Sequence, residues 1–167
     1  HLMAHSMGNW ALRGGVQFMR TFVGDNIPPL FDQVILTAAD EDDDTLGNHM
    51  KIAPLLRGCK RLTAYYCAQD AALKASDWVM GNPDRLGLSG PEDMETLPPK
   101  VSAVNVSPVI AWEPADGLED WQTDPSGHQY YRNNEAVRQD VLQVLRGRDT
   151  DDIVGRTERG DQLYRLG

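Results

Sequence analysis

Residues 31–39 read Phe-Asp-Gln-Val-Ile-Leu-Thr-Ala-Ala, and from Val34 onward this run does not alternate apolar with polar. A strand that is apolar on both faces must be covered on both, which is the habit of parallel sheets enclosed by helices. Similar β-rich runs recur at 61–67 and 101–106, and a four-residue run, His1 to Ala4, opens the chain. Between them lie helical stretches. Over 10–23 the apolar residues Leu12, Val16, Met19 and Val23 recur at spacings of four, three and four, which marks one face of a helix. Gly14 and Gly15 lie within that stretch, each costing about 1 kcal/mol relative to Ala, so a closely packed neighbour is expected there. A weaker helical pattern covers 46–56, a short helix 71–80, and a closing helix 135–146 with Gly147 as its stop. Strand and helix thus alternate four times, which predicts an α/β fold: a mostly parallel sheet flanked by helices. The predicted domain spans 1–147, and the polar stretch 148–167, with no clear periodicity, reads as a tail.

Composition narrows the functional classes. Sixteen Lys and Arg stand against 25 Asp and Glu, a net charge of −9, which argues against a nucleic-acid partner because phosphate backbones require a basic surface. No apolar run reaches the roughly 18 residues of a transmembrane helix. Cys59 and Cys67 lack zinc-ligand spacing and read as ordinary thiols, in keeping with a reducing compartment. The run Asp40-Glu41-Asp42-Asp43-Asp44 is open to two readings, a cation site or a solvated acidic turn; it lacks the spaced ligands and glycine of a calcium loop, so no metal and no cofactor is expected.

In open α/β sheets, reactive groups gather at the carboxyl ends of the strands. Ser6, Asp40, Asp70 and His128 each follow a predicted strand. Ser6 lies in Ala4-His5-Ser6-Met7-Gly8, one methyl group away from the G-x-S-x-G elbow, with a strand before it and a helix after it. Such a turn lifts the hydroxyl clear of the sheet, turns the Met7 amide toward a developing oxyanion, and calls for small neighbours such as Ala4 and Gly8. A serine N-cap accounts for the same residues without chemistry. His128 is the candidate general base, since His1 is terminal, His49 lies on the weak helix, and His5 sits beside the elbow in a structural position. Asp70 is the candidate acid that orients the imidazole, and Asp40 its rival; an N-cap on the helix over 71–80 also explains Asp70. The order Ser6, Asp70, His128 is the Ser…Asp…His order of α/β hydrolases. Loops 81–100 and 108–127 are expected to shape a pocket for a small-molecule acyl ester, with Trp112 and Trp121 as candidate apolar walls. A non-enzymatic scaffold used for binding is the alternative.

Five segments carry a closer likeness: Ala4-His5-Ser6-Met7-Gly8-Asn9, Ala38-Ala39-Asp40, Gln69 through Ser76, Arg85-Leu86-Gly87 and Gly127-His128-Gln129-Tyr130. Together they resemble the carboxyl-terminal half of a bacterial α/β-hydrolase family of unknown function. The resemblance implies a partial α/β-hydrolase fold whose amino-terminal strands, and the loop supplying a second oxyanion amide, would belong to a longer protein. It also implies Ser6 as nucleophile, His128 as base, Asp70 as acid and the Met7 amide as oxyanion donor.

Overall fold

The computed structural model describes residues 1–80, 84–110, 126–160 and 162–167. Its single sheet contains β1 (Leu2–His5), β2 (Phe31–Thr37), β3 (Cys59–Tyr66), β4 (Val101–Asn105), β5 (Arg156–Gly160) and β6 (Leu163–Leu166), in the order β1-β2-β3-β4-β6-β5. All neighbours run parallel except the β5–β6 pair. The mostly parallel, helix-flanked architecture is therefore the one the apolar runs predict.

Alternation along the central strands divides the core in two. Val34 and Leu36 of β2, with Leu62 and Ala64 of β3, pack on the face that also takes Val16 of α1 (Gly8–Val23). Ile35 and Tyr65 project to the opposite face, against Leu73 of α2 (Ala71–Met80), Tyr130 of α4 (Tyr130–Asn133), and Val137, Val141 and Val144 of α5 (Glu135–Leu145). A short helix, α3 (Leu86–Ser89), lies between α2 and β4.

Three expectations need correction. The stretch 46–56 is not one helix but two short 3-10 turns, Asp43–Leu46 and Ala53–Gly58; Gly47 ends the first, and Pro54, which has no N–H to donate, sits at the start of the second. Gly14 and Gly15 mark no close neighbour, and Gly8 is not required by crowding either, because a Cβ built on any of the three meets nothing within 4 Å. Residues 148–167 are not a tail. They fold back as the β5–β6 hairpin, β6 pairing with β4 and burying Tyr164 and Leu166 while Arg165 stays outside. Charged residues on a sheet edge discourage further pairing, which is why this hairpin looks like solvated chain in the sequence.

Candidate active site

Ser6 follows β1 directly and has φ of +53°, in the left-handed region that non-glycine residues enter at a cost of about 1–3 kcal/mol. The surroundings hold it there. Its N–H donates to the Thr37 carbonyl at 3.1 Å, and its own carbonyl accepts from the Asn9 N–H at 3.0 Å and from Asn9 Nδ2 at 2.9 Å, with the Asp40 N–H at 3.4 Å. Asn9 is fully buried. The residue preceding α1 as its cap is Met7, with no side-chain capping bond, so the turn at Ser6 is not a serine N-cap. A strained, over-determined serine at the end of a strand and the mouth of a 16-residue helix is what a nucleophile elbow requires.

Two strands away, Asp70 closes the turn between β3 and α2 and is wholly buried. Its two carboxylate oxygens have separate tasks. Oδ1 accepts the Leu73 N–H at 3.0 Å and caps α2, while Oδ2 accepts from Nδ1 of His128 at 2.7 Å. The capping role and the histidine contact thus coexist in one side chain. A carboxylate can only accept, so this contact places the ring proton on Nδ1, which makes Nε2 the basic nitrogen of the neutral ring. The loop carrying His128 is held on several sides: Ser126 accepts from the Ala71 N–H through its carbonyl (2.8 Å) and from the His128 N–H through its hydroxyl (3.3 Å), and Gly127 turns with φ of +66°.

Asp40 is placed otherwise. Its carboxylate accepts from the Ser76 hydroxyl at 3.1 Å and faces Nε of the buried Arg85 at 3.5 Å; its backbone, not its side chain, meets the elbow. Three more of the acidic run are also paired: Glu41 with Arg13, Asp42 with Arg85 and Lys51, and Asp44 with Lys51. Most of the run's carboxylates are thus engaged with cationic side chains of the chain itself. Among the described residues no group of three or more His, Cys, Asp or Glu side chains is placed to hold a metal ion, and no helix is long and apolar enough to cross a membrane. Trp112 and Trp121, the candidate pocket walls, lie outside the described residues.

Three residues serve this site through contacts that the sequence does not reveal, although His5 is read there as structural. Tyr130 is buried, and its hydroxyl accepts the Ala38 N–H at 2.6 Å and donates to the Tyr65 carbonyl at 2.8 Å, joining the ends of β2 and β3 two residues after His128. Ala38 has φ of +43°, in the left-handed region, where the chain leaves β2. Burial pushes the Tyr130 pKa well above the usual phenol value, so it keeps the proton it donates. His5 donates from Nε2 to the His128 carbonyl at 3.0 Å. Gly87 is the third. Its N–H donates to the Ala39 carbonyl and its carbonyl accepts the Cys67 N–H, strapping the two strand ends together. A Cβ at Gly87 would lie 2.5 Å from the Ala39 nitrogen and 2.6 Å from the Ala38 carbonyl carbon. Those are backbone atoms that cannot swing aside, so Gly87→Ala is expected to destabilise the protein by about 2–3 kcal/mol in urea unfolding. An unchanged midpoint would mean the strap is loose.

A serine in a strained strand-to-helix turn and a buried acid–histidine pair, all at the carboxyl ends of one parallel sheet, define the class: an α/β-hydrolase fold. Comparison of sequences gives the family. Residues 1–148 match the family described as alpha/beta hydrolase of unknown function (DUF900), and the chain belongs to it. No curated protein and no solved structure matches the chain.

Proposed function

We propose that this protein is a serine hydrolase that cleaves an ester or related acyl bond, with Ser6 as nucleophile, His128 as general base and acid, Asp70 as the orienting acid and the Met7 amide as an oxyanion donor. The observation that carries this reading is the 2.7 Å bond from His128 Nδ1 to the buried Asp70, on the loop tied to the elbow. It supports Asp70 over Asp40, whose carboxylate is engaged with Ser76 and Arg85.

In the first half-reaction, His128 Nε2 takes the Ser6 Oγ proton as Oγ bonds to the acyl carbon. The carbonyl π electrons move to oxygen, where the Met7 amide and the amino end of α1 oppose the new charge. The imidazolium, stabilised by Asp70, then protonates the departing alkoxide as the carbon–oxygen bond breaks. Water repeats the sequence on the acyl-serine and regenerates Ser6 with release of the acid. A fluorophosphonate reports on this directly, since phosphorus is attacked by the same activated oxygen. Peptide mapping of the treated protein is expected to place a single phosphonyl group on the peptide bearing Ser6. A folded protein that takes up no label there would overturn the proposal and leave the non-enzymatic scaffold reading in its place.

A further inference from the structure

His5 precedes the proposed nucleophile, yet its side chain is directed at the proposed base. Its Nε2 donates to the main-chain carbonyl of His128 at 3.0 Å, the two imidazole rings lie 4.6 Å apart between centroids, and the His5 ring also lies 4.7 Å from the ring of Tyr131. One residue therefore touches the base loop by hydrogen bond and by ring contact, and its own backbone is the last link of β1 before Ser6. We propose that His5 is a positioning residue: a tether that fixes the His128 loop to the nucleophile elbow, so that imidazole and hydroxyl are set by one rigid connection rather than by two independent loops. This rests on the reading of Ser6 and His128 as nucleophile and base.

The need for such a tether is visible in the fold. Asp70 holds the Nδ1 edge of the ring and Ser126 ties the same loop to Ala71, so both of these anchors lie at the start of α2 and not on the elbow's own strand. The His5 bond adds an anchor from β1, on the backbone of His128 itself, and misplacement of a reacting group by about 1 Å can cost 10²-fold in rate. Burial lowers the His5 pKa, with the bond to the His128 carbonyl opposing that; His128, Asp70 and Arg132 are the charged or titratable groups acting on it. Protonation of neutral His5 would add a proton at Nδ1 and leave the Nε2–H donor in place, so the tether does not depend on pH.

Two substitutions separate the donor from the ring. His5→Phe keeps a ring of similar size and removes the donor; His5→Gln removes the ring and keeps a side-chain N–H able to reach the same carbonyl. Three quantities are read for each: the rate of fluorophosphonate labelling at Ser6, kcat and KM for p-nitrophenyl acetate, and the strongly deshielded proton resonance of His128 Nδ1–H. His5→Phe is expected to slow labelling by about 10–100-fold, to lose kcat with little change in KM, and to broaden the proton resonance through exchange with water. His5→Gln is expected to stay within about threefold of wild type in rate and to keep the resonance sharp. A His5→Phe protein that retains both, a His5→Gln protein that falls as far as His5→Phe, or a wild-type protein without the resonance overturns the tether. Should the wild-type protein take no label, the hydrolase reading fails, and the resonance alone decides the tether: lost in His5→Phe and kept in His5→Gln upholds it, any other pattern overturns it. Should His5→Phe not fold, His5→Gln decides by the same measures.

Discussion

Asp70→Asn is expected to lower kcat for an ester by about 10⁴-fold, while Asp40→Asn leaves it close to wild type. The asparagine is chosen because it preserves everything Asp70 does except the chemistry. Its Oδ1 can still accept the Leu73 N–H and cap α2, so the helix and its loop stay in place. Its Nδ2, however, presents two protons where His128 Nδ1 now finds an acceptor at 2.7 Å. The ring must turn its lone pair toward the amide and carry its proton on Nε2, which removes the base from the serine. The stabilisation of the imidazolium is lost with the charge. Asp40→Asn instead disturbs a buried contact with Arg85 and the bond from Ser76, a change felt in unfolding rather than in turnover. Ser6→Ala sets the floor, with no covalent labelling at all. Turnover per folded molecule, measured for the three variants, checks the assignment. Should Asp40→Asn cost four orders of magnitude and Asp70→Asn little, the acid is Asp40 and the ring must reorient to meet it.

The sheet was readable because its central strands are apolar on both faces, and nothing except a parallel, doubly covered arrangement satisfies the run from Val34 to Ala39. The strand-end positions of Ser6 and Asp70 follow from the same pattern, whereas His128 lies on a loop well beyond the end of β4. Asp70 and its rival Asp40 were hard to separate by reading, since both follow strands; only the third dimension shows that Arg85, far along the chain and fully buried, faces Asp40. Nor could spacing reveal that His5 points at a main-chain carbonyl 123 residues away. The glycines misled for a definite reason. Glycine in a helix is compatible with crowding but does not require it, and Gly14 and Gly15 lie on open surface, whereas Gly87, in a loop-like stretch that drew no attention on packing grounds, is pressed against backbone.

The β5–β6 hairpin is where sequence reading failed most, and it carries the largest stability prediction: Asp140→Ala is expected to cost about 3–5 kcal/mol. Asp140, on α5, and Arg156, on β5, form a two-point ion pair, with Arg156 Nε on Oδ2 at 2.8 Å and Nη2 on Oδ1 at 2.7 Å; their side chains are 0% and 2% exposed. Tyr65 of β3 donates its hydroxyl to the same Oδ1 at 2.5 Å, and its pKa is driven well above the usual phenol value by burial and then by the Asp140 charge, so the donor persists. Arg156 also lies over the Tyr164 ring at 5.4 Å. Removing the carboxylate strands a guanidinium inside protein and leaves the Tyr65 hydroxyl without its acceptor, and that uncompensated charge, rather than the pair's own attraction, is the source of the cost. For a chain of this size the corresponding fall in Tm is roughly 6–20 °C. The triple replacement Asp140→Leu, Arg156→Met and Tyr65→Phe is expected to recover most of the loss, because desolvation of the ions nearly cancels their attraction and apolar side chains of similar volume leave neither a charge nor the Tyr65 hydroxyl unpaired. Equilibrium unfolding of the three proteins, with proteolysis within 156–166 as a local readout, checks this. An Asp140→Ala protein as stable as wild type would mean that the hairpin is held by its strand pairing to β4 and not by the buried ion pair.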